Sequence, residues 1–142
     1  MEDKQIELLV RALIEKDGKI LVCQNVGRDY YFFPGGHVEF NESAEEALKR
    51  EFIEELDWEI ESPFFIGGAE HRFVENEKKR HEINLIFEVK VDEIKTESQE
   101  DHLRFFLLSR KELEEKEVYP ILMKKALLNW FHDKEKFWLN GL

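Results

Sequence analysis

Three glutamates, Glu51, Glu54 and Glu55, stand within five residues of one another, shortly after the pair Gly35-Gly36. The interval Glu39–Glu61 holds ten acidic and two basic residues, so most of the formal net charge of −11 is local to it. On a helix turning about 100° per residue, with Glu51 at zero, Ala44, Leu48, Phe52 and Leu56 form a stripe from about 20° to about 140°. Glu55 then falls at about 40°, inside that apolar stripe, Glu51 lies at its edge, and Glu54 sits about a turn away. Like charges at this spacing repel even on an exposed helix, and partial burial raises the cost. A hard divalent cation, Mg²⁺ or Mn²⁺, offsets it through oxygen ligands and leaves positions open for water and phosphate. The double glycine after Pro34 lets backbone approach a bound group closely, and a glycine carbonyl there adds a ligand without adding charge. The plainer reading pairs these glutamates with Lys49, Arg50 or distant lysines on a solvated face; the placement of Glu55 argues against it.

The elements around the acidic segment are readable in outline. Ser43–Leu56 is expected to be a helix, with Asn41 or Ser43 as its N-cap. Ile6–Ile14 and Lys19–Val26 are apolar runs joined across Asp17-Gly18, which predicts a β-hairpin. Tyr30–Phe33 reads as a short aromatic strand ending at Pro34, and Ile60–Val74 as extended chain interrupted at Gly67-Gly68. In His81–Val91 the residues Ile83, Leu85, Phe87, Val89 and Val91 alternate with polar ones, which predicts a strand with one buried face. Glu93–Asp101 is a polar loop, Leu103–Leu108 a strand, and Ser109 caps a short helix through Glu114. Ile121–His132 is a final amphipathic helix, and the tail to Leu142 fits no single element. The order places helices on both faces of a mixed sheet.

The segment Gly36–Trp58 resembles the Nudix box: a Gly, five residues, a Glu, seven residues, then Arg-Glu-apolar-any-Glu-Glu-any-Gly-apolar. Gly36, Glu42, Arg50, Glu51, Phe52, Glu54, Glu55 and Trp58 stand in register with that pattern. Asp57 replaces the glycine that ends the helix in a left-handed conformation, which Asp tolerates at modest cost. The resemblance is to the MutT-type Nudix hydrolases. It implies an α/β fold, the α/β/α sandwich with a mixed β-sheet, as one domain over residues 1–142. It also implies Mg²⁺- or Mn²⁺-dependent hydrolysis of the pyrophosphate bond in a nucleoside diphosphate linked to a further group, an acid-anhydride substrate. Carried over by position, Glu51, Glu54, Glu55 and the Gly36 carbonyl are the metal ligands, and Arg50 orients the carboxylates, through Glu42 among others. The general base in this family often lies outside the box, and Glu97, Glu100 and Asp101 are candidates here. Glu100 is preferred, and Glu54 competes with it. With no insertion after the box, the leaning is to (d)NTPs or dinucleoside polyphosphates. A homodimer is compatible with the family.

Three other readings remain open from the residues, one of them a purely structural acidic domain that no divalent ion would stabilise. A non-catalytic Nudix-like domain would sense a nucleotide without cleaving it, but such domains usually lose box carboxylates. An isomerase on this fold needs an active-site cysteine, and the sole cysteine, Cys23, lies inside a strand. Other residues carry less: Glu39 belongs to the loop before the helix, and His37, His71 and His81 have no zinc-type spacing. Tyr30–Phe33 read mainly as core, and Lys78-Lys79-Arg80 and Lys124-Lys125 as solvated. The acidic balance excludes broad binding to duplex nucleic acid, which needs clustered cations. The N-terminal segment lacks a basic region followed by an apolar core, and no run of about eighteen apolar residues occurs. A cytoplasmic protein with a nucleotide-derived small-molecule substrate and no membrane partner is therefore expected.

Overall fold

The computed structural model describes residues 5–140. Residues 1–4 and 141–142, parts of the two terminal segments read above, lie outside the described residues. The chain runs β1 (Ile6–Leu13), β2 (Glu15–Lys16), β3 (Lys19–Asn25), β4 (Tyr31–Phe32), β5 (Gly35–His37) and α1 (Ala44–Leu56). It continues with β6 (Phe64–Glu75), β7 (Lys78–Glu88), β8 (Leu103–Ser109), α2 (Arg110–Glu115), β9 (Val118–Tyr119), α3 (Ile121–Asp133) and β10 (Phe137–Asn140). One sheet has the order β10-β6-β7-β1-β5; the other has β2-β3-β4-β9, with β8 also paired to β3. Both mix parallel and antiparallel pairs, so the expected α/β sandwich is present, with its mixed sheet split in two.

The layers follow from alternation along the strands. In β1, Val10 and Ala12 pack with α1 residues Leu48, Phe52 and Leu56, whereas Leu13 joins Met123 and Leu127 of α3. Leu21 and Cys23 of β3 face the α1 side, while Ile20 and Val22 face the other. Helices therefore cover both faces, and β1 reads as a continuous apolar run because neither of its central faces meets water.

The Asp17-Gly18 turn forms as expected, with φ of 51° and 77°. The hairpin it closes is shorter than expected, because only Glu15 and Lys16 pair with β3 in the ladder. β1 leaves for the other sheet, where it runs parallel to β7 from Ile6↔His81 to Leu13↔Glu88. Burial of a whole strand outweighs a local hairpin. β6 continues through Gly67-Gly68, and its irregularity lies between Phe65 and Gly67. β7 starts and ends three residues earlier than expected, and both of its faces are covered: Asn84 and Ile86 are fully buried. The tail supplies β10, parallel to β6, with Phe137 beside Gly67.

Ser43 caps α1 through a complete capping box with Glu46, satisfying orphan N–H groups at both positions. Asp57 ends the helix at φ 48° and ψ 45°, the left-handed conformation expected of it. The Asp57 N–H donates to Ile53 O at 3.0 Å, and Trp58 packs edge-on against Phe52 at 5.7 Å. A side chain in this conformation carries strain that glycine avoids. Asp57→Gly is therefore expected to stabilise the protein by about 0.5–1 kcal/mol, read as a higher urea midpoint with an unchanged slope.

Candidate active site

The double glycine divides its labour. Gly35 has φ 148°, and a Cβ there would stand 1.8 Å from the Val10 carbonyl oxygen, so the pairing of β5 with β1 demands glycine. At Gly36 the obstacle is a side chain: a Cβ would lie 2.4 Å from the Glu51 carboxyl carbon. The missing side chain at Gly36 is thus the space into which the Glu51 carboxylate fits.

Arg50 organises the rest. Its Nε donates to Glu42 Oε2 at 2.7 Å, and one Nη donates to Glu42 Oε1 at 3.1 Å, a bidentate pair. That nitrogen also donates to the His37 carbonyl at 2.9 Å. The other Nη reaches Glu51 Oε1 at 3.1 Å and Glu54 Oε2 at 3.3 Å. Hydrogen bonding from the guanidinium holds the Glu42 carboxyl below its ordinary pKa, and the same bond raises that of Arg50. Glu42 and Glu51 are largely covered, whereas Glu54 is half exposed.

Glu55 is the electrostatic exception. Burial, reinforced by the charge of Glu51 and a hydrogen bond with it, pushes its carboxyl up to about 8. Arg11 and Glu100 act on the same group with opposite signs, which puts both in its neighbourhood. Glu100 belongs to the loop after β7, docked by the Gln99 N–H donating to Glu55 O at 2.7 Å. Ser98 braces the Glu100 backbone, accepting from its N–H at 3.1 Å and donating to its carbonyl at 2.9 Å.

Glu51 and Glu55 are therefore brought together beside Gly36, with Glu54 one turn away on the guanidinium and the Glu100 loop docked on the Glu55 backbone. No three acidic, histidine or cysteine side chains among the described residues converge on a single point as they stand. Glu54 must turn from Arg50 to join the other two. The donor set nevertheless suits a hard cation: carboxylate oxygens, a glycine carbonyl beside them, and a buried carboxyl whose charge lacks full compensation. Glu97 and Asp101 are exposed, and Glu39 reaches Arg50 only at 3.8 Å. His37 is tied to Glu7 at 2.9 Å. Cys23 is buried, and burial raises its thiol, which donates to the Phe32 carbonyl at 3.4 Å; the reactive thiol an isomerase needs is not offered here.

Two residues escaped the sequence reading. Arg11 lies near Glu55 and is seated on Asn84 and the Phe33 carbonyl. A lone cation inside the apolar run Leu8–Ile14 was the signal available for it. Alternation with Ile83 and Leu85 assigns Asn84 to a solvent face, whereas it is fully buried.

The Glu55 carboxyl sets a pH dependence. Its folded pKa of about 8 lies above the ordinary glutamate value of 4.5, so the folded chain binds the extra proton between those limits. Its contribution to stability is complete below the lower limit and is lost as pH rises through the upper one. In EDTA, the melting temperature of Glu55→Gln should therefore gain on that of the unsubstituted protein between about pH 5 and about pH 8. Scanning calorimetry checks this, and a constant gap would refute the assignment.

The sequence matches the NUDIX domain over residues 5–130. It is 47% identical over 57 residues to the CTP pyrophosphohydrolase of Escherichia coli K12, a match covering 37% of this chain and 42% of that protein. The chain thus spans less than half the length of that relative. In fold it is similar to the mutator MutT protein of Bacillus halodurans, with a TM-score of 0.79, 18% identity, and coverage of 95% and 89% of the two chains. It is also similar to the Escherichia coli ORF135 protein, with a TM-score of 0.64, 26% identity, and coverage of 89% and 91%. With Arg50, Glu51, Glu54 and Glu55 of the box on α1 and Gly36 on the adjoining β5, and with the domain matched over residues 5–130, the chain belongs to the NUDIX family.

Proposed function

We propose that this protein hydrolyses the pyrophosphate bond of a nucleoside diphosphate linked to a further group, in a reaction dependent on Mg²⁺ or Mn²⁺. NUDIX hydrolases use divalent ions and act on small nucleotide substrates. A nucleoside triphosphate is the favoured form, in keeping with the triphosphate in the name of the E. coli relative, and dinucleoside polyphosphates come next. The observation that carries the reading is the Glu51–Glu55 pair, half-buried beside Gly36 with one carboxyl pushed up to about 8. A helix selected for packing alone would place an aliphatic residue at that position.

Glu51, Glu54, Glu55 and the Gly36 carbonyl would hold the ions. When bound, the ions neutralise phosphate charge that bare carboxylates would repel and polarise the phosphorus under attack. The protein's own part is preparatory. Arg50 fixes Glu42 and Glu51 through a rigid fork and keeps Glu54 within reach, so turning one side chain completes the site. Glu55 would serve as an oxygen ligand in its deprotonated form. Glu100, carried by the braced loop docked on α1, is the proposed general base that takes a proton from the attacking water. Glu54 is the competing base.

Glu54→Gln and Glu55→Gln are each expected to lower Mg²⁺-dependent phosphate or pyrophosphate release by about a hundredfold or more, with unchanged far-ultraviolet circular dichroism. Rates near those of the unsubstituted protein in either variant would remove the metal assignment. For Glu100→Gln, a loss of about a hundredfold with an altered acid limb of the pH–rate profile identifies the base. A normal profile transfers that role to Glu54.

A further inference from the structure

A cavity of about 410 Å³ opens over Arg11 of β1, within the size range of small-molecule pockets. Tyr30, Phe32, Phe73 and Tyr119 contribute aromatic walls, Arg11 lies in its lining, and Glu75 and Glu82 add carboxylates. Tyr30 and Tyr119 meet edge-on at 5.2 Å, and the Arg11 guanidinium stands 5.9 Å from the Phe32 ring centre. Glu75 is occupied by Arg80 at 3.2 Å. Glu82 forms no ion pair among the described residues.

The seating of Arg11 is built. Its Nε donates to Asn84 Oδ1 at 3.2 Å and one Nη to the Phe33 carbonyl at 3.1 Å. A guanidinium carries five N–H groups, so three remain without a partner among the described residues. Asn84 is fully buried, and its Nδ2 has no partner. Leaving that amide unsatisfied costs stability, and an aliphatic residue would pack at both positions without the cost. What the pair gains is a fixed guanidinium edge. Arg11 pairs with Gly35 in the β1–β5 register, one position from the Gly36 that cradles Glu51, so the cavity adjoins the glycine loop. Arg11 stands beside Ile86 in the β1–β7 register, and Asn84 and Glu82 follow on the same face of β7. Successive residues on one face lie about 7 Å apart, a span comparable with a nucleobase.

We propose that Arg11, seated by Asn84, selects the nucleobase, and that the cavity prefers a base carrying both a carbonyl and an exocyclic amine: cytosine or guanine. This rests on the reading of the carboxylate site as a nucleotide site. The guanidinium edge donates to the carbonyl and to an acceptor ring nitrogen, N3 of cytosine or N7 of guanine, and Glu82 accepts from the amine. Uracil and thymine turn a carbonyl toward Glu82, and adenine offers Arg11 no carbonyl. Each leaves a polar group unpaired, the situation in which a hydrogen-bonding site discriminates most strongly.

Calorimetric titration of the full chain with CMP, GMP, UMP and AMP in EDTA tests this without cleavage. Tighter binding of CMP or GMP than of both UMP and AMP, by about tenfold or more, is expected, and the CMP and GMP arms show which base is read. Arg11→Lys keeps the charge but loses the fork, so the preference should fall to about twofold while phosphate attraction persists. Glu82→Gln, on a partly exposed side chain, should weaken the amine-bearing base selectively. Equal binding of all four, binding of none, or an undiminished preference in Arg11→Lys overturns the proposal. Phosphate release from CTP and GTP with Mn²⁺ separates the two readings. Selective binding without release overturns hydrolysis alone, and release without base preference overturns the role of Arg11 alone.

Discussion

Every donor of the Arg50 side chain is used: two on Glu42, one on the His37 carbonyl, and one each on Glu51 and Glu54. The remainder of the carboxylate site hangs on that arrangement. An anionic helix face cannot order itself, because each carboxylate repels the next. A single planar cation with five fixed directions does the ordering, and a lysine, one point charge on a flexible stem, could not. Because one of those directions ends on the backbone of the glycine loop, the guanidinium also fastens β5 to α1. The glycine loop and the helix are thereby one unit.

Glu55 is the complement of this order. Arg50 does not reach it, and its charge is opposed by burial and by Glu51. The site is therefore ordered on its solvent side and electrostatically unfinished on its buried side, where an incoming cation is worth most. Arg11, the second guanidinium, compensates only part of the deficit, because two of its donors are committed to Asn84 and the Phe33 carbonyl.

What was legible in the residues was mainly what is local. The α1 cap, its left-handed end at Asp57, the Asp17-Gly18 turn and the Ser109 cap depend on neighbours within a few positions, and all four form. The relation of Glu51 and Glu55 to the apolar stripe followed from helix geometry alone. Strand partners were less legible, because pairing is decided by burial across long separations: β1 deserts its hairpin for β7, with Ile6 beside His81. The same cause hid Asn84. Its alternation with Ile83 and Leu85 marks a solvent face only where nothing covers that face, and here it is buried. Short β5 and β10 carry too few residues to show a period, and their glycine contacts appear only when the strands meet.

β1 serves both halves of the site at once. Val10 pairs with Gly36, and the next residue is Arg11. Since strand side chains alternate, a slip of one position would drive Arg11 into the layer packed on α1 and withdraw the glycine loop from Glu51. Loops at the rim can be lengthened or exchanged independently, but this strand cannot drift. Diversification of such a chain is thus channelled into its periphery, with the central ladder acting as the ruler against which every variant is measured.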